Sequence, residues 1–364
     1  MENIFTLPVY PVKNDMWCEL QAEKRPIVIY GMGNGADKLF DRLSDLGISP
    51  SAVFASDGFV RGHSFRGFKV RSFSEIREEF SDFVILLSFA SNRPEVLEML
   101  CEIDGKYEMY VPDMPIADTT EYFDKDFYNS NYSEIINAYE SLADERSKST
   151  FAAIINFKLT GKMFYLEACG IGKDEMYGLL PCKRIKSYID VGAYNGDTLR
   201  EAIEYMPSLE CAVLVEPDPK TFKRLKKYCD TVKGKSLKLI NAAALDTVGA
   251  CTFMASGNRN STYSATASHE HSTAEIECVT VDSLGTAPDY IKYDVEGAEL
   301  LALLGSHNVI NANKPALLVS LYHRSRDIFS LVNYLHDKYP FYKLALCKQR
   351  CLPAWEINLI LTAY

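Results

Sequence analysis

Short apolar runs alternate with amphipathic stretches along the first third of the chain, a pattern typical of parallel strands joined by helices. Pro94 is expected in the first turn of one of these helices, where its missing N–H has no hydrogen-bond partner to lose. Residues 23–114 are therefore expected to form a small Rossmann-like βαβ domain, preceded by a poorly structured lead-in over residues 1–22. The predicted strands are Pro26–Tyr30, Ala52–Ala55, Phe83–Ser88 and Tyr107–Val111.

The spacing of apolar residues becomes helical over residues 115–183. Ile135 and Tyr139 belong to one apolar stripe and Ile155 and Leu159 to another, which Gly161 follows. Stripes of this kind indicate helices that bury one face. The sequence therefore predicts a helical connector that packs against the domain after it.

The alternation of strands and helices returns over residues 184–364 and predicts an α/β domain with a parallel sheet. The last two runs are joined by a short connection around Pro353, which suits an antiparallel edge. The expected fold is a Rossmann-like sheet of seven strands. Its predicted strands are Tyr188–Val191, Cys211–Val215, Leu237–Asn241, Tyr290–Asp294, Ala316–Leu321, Tyr342–Leu346 and Glu356–Leu361.

A polar stretch over residues 256–273 interrupts this pattern, between short strands predicted near Cys251–Met254 and Ile276–Val281. Long loops inside compact domains are usually functional lids or disordered segments. His269, Glu270 and His271 within it resemble metal ligands, but no third ligand position is evident nearby. We therefore predict a mobile loop beside the acceptor site, without a metal.

Composition narrows the function classes. The formal net charge of −10 and the pI near 5.2 argue against a nucleic-acid backbone as the main partner. The ten cysteines are scattered without a CxxC pair, which disfavours a zinc centre and suits a reducing cytoplasm. No run of 18 apolar residues occurs, so no membrane span is expected.

The segment from Asp190 to Asp197 joins an apolar strand to a predicted helix through a loop with two glycines. Gly192 and Gly196 would let the backbone approach a ligand closely. Asp197 and Thr198 are expected to cap the helix. Because acids flank the loop, it would repel a pyrophosphate and suits a cationic ligand such as S-adenosylmethionine (SAM) better than NAD. The alternative is an acidic loop without a ligand.

A second apolar strand ends in Glu216, Pro217 and Asp218. An acid at the tip of the second strand can accept hydrogen bonds from ribose hydroxyl groups. The glycine loop and this acid, in this order, predict a nucleoside-binding half-sheet.

The ordered motifs closely resemble those of the FkbM family of SAM-dependent methyltransferases. They are Asp190–Asp197, Glu216–Asp218, Asn241–Ala243 and Ile291–Glu299, and the resemblance covers roughly residues 180–364. It implies a Rossmann-like methyltransferase fold, SAM as the methyl donor, and an O-methyl product on a sugar or natural-product hydroxyl. The candidate cofactor-binding residues on these motifs are Asp190, Gly192, Ala193, Asn195, Gly196, Asp197, Glu216, Pro217, Asp218, Asn241 and Ala242.

The candidate catalytic residues are Lys292, Asp294, Glu296 and His323. The first three alternate at a strand end and would project to one side of the sheet. Charged groups there are costly to bury unless they pair or function. Asp294, Glu296 or His323 could be the base, with Lys292 steering the acceptor or lowering the pKa of a neighbouring group. The alternative is a structural pair between Lys292 and a carboxylate.

The amino-terminal domain has a glycine-rich turn of its own, with Gly31, Gly33 and Gly35, and an acid, Asp57, after its second strand. These residues could bind a nucleotide or nucleotide-sugar. Alternatively, the turn serves only to pack the helix on the strand or to dock another subunit. A single glycine-rich turn does not decide between these alternatives.

Three functions are therefore compatible with the sequence. The first is O-methylation of a glycan, sugar nucleotide or small natural product by a cytoplasmic enzyme, which could be a homo-oligomer. The second is methyl transfer to nitrogen or to a peptide side chain on the same fold. The third is a non-catalytic protein that binds SAM or a nucleotide as a scaffold.

Overall fold

The amino-terminal region is a layered α/β unit in the structure, a computed structural model that describes residues 4–60, 62–117, 121–254, 262–263 and 273–363. Ten helices and strands are described here. They are α1 (Met16–Ala22), β1 (Ile27–Tyr30), α2 (Asn34–Asp45), β2 (Ala52–Phe54), β3 (Ser64–Phe65), β4 (Phe68–Arg71), α3 (Phe73–Glu79), β5 (Val84–Leu87), α4 (Pro94–Asp104) and β6 (Glu108–Tyr110).

The first sheet has the strand order β3-β4-β2-β1-β5-β6, and all its neighbours are parallel except the β3–β4 hairpin. The four strands expected from the sequence correspond to β1, β2, β5 and β6. The hairpin was not expected, because its strands are short and lack an apolar run. The lead-in was expected to be poorly structured, but its residues 16–22 form α1. Met16, Trp17 and Leu20 are buried there against the sheet, which stabilises the helix.

The connector is helical, as its apolar stripes predict. It contains α5 (Lys125–Ser130), α6 (Tyr132–Ser141), α7 (Glu145–Thr160), α8 (Phe164–Cys169), β7 (Gly170–Ile171) and α9 (Lys173–Gly178). Gly161 ends α7 in the left-handed conformation, with φ of 64°. The two-residue strand β7 was not anticipated, and it pairs with a strand of the second sheet.

The remaining elements build the second sheet, a small third sheet and the helices that pack on them. They are β8 (Ser187–Val191), α10 (Asp197–Tyr205), β9 (Cys211–Val215), α11 (Pro219–Cys229), β10 (Ser236–Ile240), β11 (Ala243–Ala244), β12 (Gly249–Met254), β13 (Thr262–Tyr263), β14 (Thr273–Val279), β15 (Tyr290–Tyr293), α12 (Glu299–Leu304), α13 (His307–Asn313), β16 (Ala316–Ser320), α14 (Asp327–Lys338), β17 (Tyr342–Gln349) and β18 (Ile357–Ala363).

The second sheet has the strand order β10-β9-β8-β15-β16-β18-β17-β7. Strands β10, β9, β8, β15 and β16 are parallel, whereas β18 is antiparallel to both of its neighbours. The expected α/β class and seven-stranded sheet are therefore confirmed, and the connector adds β7 as an eighth strand at the edge. The strand order reverses between β8 and β15, which is where ligands bind in open α/β sheets.

A small third sheet, separate from the second sheet, has the strand order β11-β14-β12-β13. Within it Cys251 and Cys278 form a disulfide, which the scattered cysteine pattern did not predict. These cysteines lie on neighbouring antiparallel strands, and strand pairing cannot be read from their separation in sequence. Most of the polar stretch 256–273, including His269, Glu270 and His271, lies outside the described residues.

The two large sheets share hydrophobic packing. One cluster of buried side chains runs from Val28 and Phe54 in the first sheet, through Phe151 in the connector, to Leu344 and Leu361 in the second. The first sheet, the connector and the second sheet therefore contribute to one hydrophobic cluster. In the part of the chain described here, no helix is long and apolar enough to cross a membrane.

Candidate active site

A cavity of about 360 Å³ lies at the carboxyl edge of the second sheet. The loops that follow β8, β9, β15 and β16 meet there because parallel strands end at the same edge. Eight of the candidate cofactor-binding and catalytic residues line this cavity. They are Gly192, Asp197, Glu216, Pro217, Ala242, Lys292, Asp294 and Glu296.

The loop after β8 is shaped by close backbone packing. Gly192 has φ of 91°, and a Cβ atom at this position would overlap the carbonyl oxygen of Asp294. Gly196 has φ of 87° and is the N-cap of α10, so Asp197 is the first helical residue and the expected cap at Asp197 or Thr198 is wrong. Ala193 is fully buried, and neither it nor Asn195 lines the cavity.

Replacing Gly192 with alanine should therefore destabilise the protein by about 2–3 kcal/mol, from backbone strain and overlap together. Gly234→Ala is the matched control, since Gly234 has φ of 74° but no atom within 4 Å of the position that the new methyl group would occupy. Urea denaturation of both variants measures the difference. An equal loss of stability in the two would contradict the close approach of Gly192 to Asp294.

Glu216 is buried at the tip of β9, and both of its carboxylate oxygens are held by the backbone. Its Oε2 accepts a hydrogen bond from the Tyr194 N–H at 2.9 Å and its Oε1 accepts one from the Asp218 N–H at 2.8 Å. Burial raises the pKa of Glu216 to about 8, although these two hydrogen bonds lower it. A carboxyl group fixed in this way can bind hydroxyl groups in one orientation.

Asp218 and Asn241 support this strand tip and do not line the cavity. Asp218 caps α11, as the sequence predicts, by accepting hydrogen bonds from the N–H groups of Lys220 and Thr221. The Asn241 side-chain amide donates to the Glu216 carbonyl oxygen at 2.8 Å and to that of Pro217 at 3.0 Å. Both residues therefore hold the loop that carries Glu216.

Asp190 lies behind the cavity wall, although the sequence suggested that it faces a cationic ligand. Its side chain is fully buried, and the Thr198 hydroxyl donates to its Oδ2. The Lys292 ammonium is 3.9 Å from Asp190 Oδ1, because the two residues are directly paired between β8 and β15. Burial raises the pKa of Asp190 to about 6, while Lys292 opposes this increase.

Lys292 and Asp294 form a buried ion pair at the centre of the site. The Lys292 Nζ donates to Asp294 Oδ2 at 2.9 Å, and the Tyr322 hydroxyl donates to Asp294 Oδ1 at 3.1 Å. Burial alone would raise the pKa of Asp294, but Lys292, His323 and Tyr322 lower it to about 2. Burial lowers the pKa of Lys292, yet Asp294 and Asp190 raise it above its usual value. Both groups are therefore charged at neutral pH.

His323 follows β16 but does not line the cavity. Its Nδ1 is 2.8 Å from Glu299 Oε1, and its Nε2 is 3.4 Å from Glu296 Oε2 and 3.5 Å from Asp294 Oδ1. Burial lowers the pKa of His323, but Glu299 and Glu296 raise it to about 10. An imidazolium has no free lone pair, so His323 in this state supports the carboxylates and cannot accept a proton.

One side-chain cluster among the described residues has the spacing of a metal site. Asp294, Glu299 and His323 each offer one ligand atom, and these atoms lie within 4.8 Å of one another. A cation could bind there only after His323 loses the proton that its three carboxylate neighbours stabilise. The geometry is accounted for by a buried ion-pair cluster. Sequence reasoning missed Glu299 in this cluster, although it ends the charged motif that begins at Lys292.

The glycine turn and the acid of the amino-terminal domain are not brought together. Gly33 and Gly35 border one cleft, whereas Asp57 borders another with Tyr30 and Ser56. A Cβ atom at Gly31 would lie 2.7 Å from Ser88 Oγ, and one at Gly35 would overlap the Ser88 carbonyl oxygen. These two glycines are therefore required by packing between the turn and the strand end.

Several cavity-lining residues carry no sequence signal that links them to the site. The connector contributes Lys173 and Tyr177, and the amino-terminal domain contributes Asn92. The segment between β17 and β18 contributes Arg350 and Glu356. Their positions depend on how the connector and the last hairpin pack on the sheet, which no local pattern encodes.

Comparison with known proteins gives a family match to part of the chain and a fold match to almost all of it. Residues 190–339 match the methyltransferase FkbM domain. The crystal structure of methyltransferase FkbM from Methylobacillus flagellatus KT is 21% identical, with a TM-score of 0.68, and the match covers 98% of this chain and 94% of that one. This likeness shows that the two chains share a fold, including the amino-terminal region.

Two more distant structures match about half of the chain. Precorrin-6y C5,15-methyltransferase from Geobacter metallireducens GS-15 is 13% identical over 53% of this chain and 89% of its own, with a TM-score of 0.33. An rRNA methylase from Streptococcus thermophilus is 9% identical over 52% of this chain and 92% of its own, with a TM-score of 0.34. No curated protein sequence matches the chain.

Proposed function

We propose that the chain, whose residues 190–339 match the methyltransferase FkbM domain, is a SAM-dependent O-methyltransferase. The proposed acceptor is a hydroxyl group on a sugar, a glycan or a small natural product. One observation carries the proposal: a single cavity joins the Gly192 loop and Glu216 to the Lys292–Asp294 pair and Glu296. A nucleoside-binding half-sheet and a charged site suited to a hydroxyl group thus face each other.

The residues on the β8–β9 side fit SAM in shape and charge. Glu216 is aimed into the cavity by two backbone hydrogen bonds and would bind the ribose hydroxyl groups. Gly192 lets the loop after β8 pack directly against the Asp294 carbonyl oxygen, at the wall of the cavity. Asp197 and Thr198 line the same side, and an acid there favours a donor that carries positive charge.

Replacing Glu216 with alanine should weaken SAM binding at least about tenfold, because the hydrogen bonds between its carboxyl group and the ribose hydroxyl groups are lost. Calorimetric titration of SAM, which we expect to bind the wild type with micromolar affinity, measures the change. Glu210→Ala is the matched control, since Glu210 precedes the same strand and its side chain is 66% exposed. Equal affinities in the wild type and Glu216→Ala would refute the ribose assignment.

The residues on the β15–β16 side would orient the acceptor. Asp294 remains ionised and would accept a hydrogen bond from the acceptor hydroxyl, which directs an oxygen lone pair towards the donor. When bound, SAM supplies an electrophilic methyl group on its sulfonium. The acceptor oxygen becomes strongly acidic as it is methylated, so even a carboxylate with a depressed pKa can then take its proton. Glu296, which also lines the cavity, is the alternative proton acceptor.

Product analysis separates this function from its alternatives. With isotope-labelled SAM, the mass and fragmentation of the product distinguish an O-methyl group from an N-methyl group or a modified peptide. Saturable SAM binding without transfer to any acceptor would support a scaffold role. A methylated hydroxyl is the expected result.

We further propose that the glycine turn of the amino-terminal domain is structural and does not bind a nucleotide. The Lys38 ammonium, the nearest cation on the helix after the turn, donates to the Pro115 and Ile116 carbonyl oxygens at 2.6 and 3.0 Å. Residues 115–116, at the start of the connector, therefore line the cleft that a phosphate would have to enter to reach the turn.

A further inference from the structure

Strained backbone is concentrated around the cavity. Among the described residues, the non-glycine residues with positive φ are Arg66, Tyr194, Glu296, Lys314 and Glu356. Tyr194, Glu296 and Glu356 line the cavity, and Arg66 and Lys314 do not. Left-handed conformations of such residues cost free energy and persist mainly where the surrounding structure imposes them, often at functional sites. Glu356 lies outside the matched family domain, and no role follows from that match.

Glu356 lies on the acceptor side of the site. It directly precedes β18, which is antiparallel to β16, so it lies at the edge where β15 and β16 end. The Leu321 N–H donates to the Ile357 carbonyl oxygen at 2.9 Å, which brings Glu356 beside Tyr322. The loops proposed to bind the methyl donor follow β8 and β9. Glu356 lies on the other side of the point between β8 and β15 where the strand order reverses.

The hairpin segment that carries Glu356 is held from three directions. The Gln349 N–H donates to the Glu356 carbonyl oxygen at 3.0 Å, and the Asn358 side chain donates to it at 3.2 Å. The fully buried Lys348 donates to the Gln349 and Cys351 carbonyl oxygens at 2.9 and 2.8 Å. These contacts impose the left-handed conformation on Glu356.

The amino-terminal domain supplies the third contact. Ser91 and Leu352 exchange two backbone hydrogen bonds of 2.8 and 2.9 Å, which dock the loop before α4 on the last hairpin. Asn92, the next residue, lines the cavity. The amide group of Asn92 therefore belongs to the same acceptor side as Glu356, and this places a polar group of the first domain in the catalytic cavity.

The charges that line the cavity disfavour an anionic acceptor. Lys292 is paired with Asp294, and Lys173 is paired with Glu201. Acidic residues outnumber basic ones in the lining, even when Glu216, with its pKa of about 8, is counted as uncharged. The acidic residues are Asp197, Glu201, Glu216, Asp294, Glu296 and Glu356, and the basic ones are Lys173, Lys292 and Arg350. A phosphate or carboxylate group would be repelled, whereas hydroxyl groups can donate to carboxylates and bind amides. Gln349, Asn358 and Asn92 supply such amides.

We propose that Glu356 binds the acceptor, and that the acceptor is an uncharged, polyhydroxylated molecule of the sugar class. Gln349 positions the Glu356 carboxylate, because its side-chain amide donates to Glu356 Oε2 at 3.4 Å. This inference rests on the proposed methyl transfer and narrows its acceptor class. The hairpin formed by β17 and β18 would then contribute to substrate specificity.

The test measures transfer of a radiolabelled methyl group from SAM to the methyl glycosides of glucose, galactose, mannose and rhamnose, with methyl galacturonoside as the anionic probe. The wild type should label at least one neutral glycoside and not the galacturonoside. Glu356→Gln should raise the KM for that glycoside about tenfold or more, with kcat and the Kd for SAM nearly unchanged. Glu356→Gly should raise KM similarly and raise Tm by about 1–3 °C, because glycine relieves the positive φ.

Lys314→Gly is the matched control, since Lys314 has φ of 47° at the end of α13, outside the cavity. It should raise Tm to a similar extent without changing KM. An unchanged KM in Glu356→Gln would overturn the acceptor role of Glu356. Labelling of the galacturonoside alone, or of no glycoside by a wild type that binds SAM, would overturn the acceptor class. A wild type that does not bind SAM would instead refute the proposed function itself.

Discussion

Asp294→Asn should lower kcat for methyl transfer by about 10²–10⁴-fold, the usual range for loss of a group that holds or accepts a proton. The substitution is nearly isosteric and removes the charge that Lys292 and Tyr322 contact. An amide would present a donor where the acceptor hydroxyl needs an acceptor. The Kd for SAM should change little, because Asp294 lies on the β15 side of the cavity. Steady-state kinetics and calorimetry on the same preparation measure both quantities.

Two further variants test whether Asp294 or Glu296 accepts the proton of the acceptor hydroxyl group. Tyr322→Phe removes one hydrogen bond to Asp294 without removing its charge, and it should cost far less activity than Asp294→Asn. Glu296→Gln tests the alternative proton acceptor. If Glu296→Gln loses activity by two orders of magnitude or more while Asp294→Asn keeps near-normal turnover, the proton goes to Glu296 and the role proposed for Asp294 is wrong.

Lys292→Met should lower the free energy of unfolding by about 3–5 kcal/mol, because it leaves buried carboxylates without their counter-ion. The Lys292 ammonium is 2.9 Å from Asp294 Oδ2 and 3.9 Å from Asp190 Oδ1, and Asp190 is fully buried. Methionine fills similar space, so the loss is mainly electrostatic. Urea denaturation monitored by circular dichroism gives the value.

A second substitution should restore part of this stability. Asp190→Asn combined with Lys292→Met removes one of the two stranded charges, so the double variant should be more stable than Lys292→Met alone. Lys186→Met is the matched control, because the Lys186 side chain is 65% exposed and its pairing with Glu210 should contribute about 1 kcal/mol or less. A loss below about 1 kcal/mol for Lys292→Met would show that the buried pair is not needed for stability.

The strand pattern of the catalytic sheet is well encoded in local sequence. Its parallel strands are buried on both faces and therefore read as continuous apolar runs, such as those ending at Val191 and Val215. Strand ends that carry Gly192, Glu216 and Asp294 meet because parallel strands share an edge. This is why the two sides of the cavity could be predicted from the sequence.

The rest of the site depends on contacts between distant segments. Asp190 precedes the glycine loop in sequence, yet the pleat points its side chain into the wall, towards Lys292. His323 follows β16 as expected, but its neighbours Glu296 and Glu299 bury it as a cation. The direction of a side chain at a strand end is set by register and by the packed helix, which the apolar pattern does not specify.

The structure of the lead-in and the contact between the first domain and the cavity also could not be predicted from local sequence. Residues 16–22 are helical because the sheet covers their apolar face, and a seven-residue helix has little stability alone. Asn92 lines the cavity next to Ser91, which docks on Leu352, and Glu356 lines it because it directly precedes β18. Neither position has a local signature, so the parts of the cavity wall that Asn92 and Glu356 form could not be predicted.

A crystal structure with S-adenosylhomocysteine, the demethylated donor, tests the central claim most directly. Our account predicts that the ribose hydroxyl groups lie within hydrogen-bond distance of the Glu216 carboxylate. It also predicts that the sulfur atom faces Asp294 across the switch point between β8 and β15. A nucleoside bound away from Glu216, or a sulfur atom directed away from Asp294, would contradict the account.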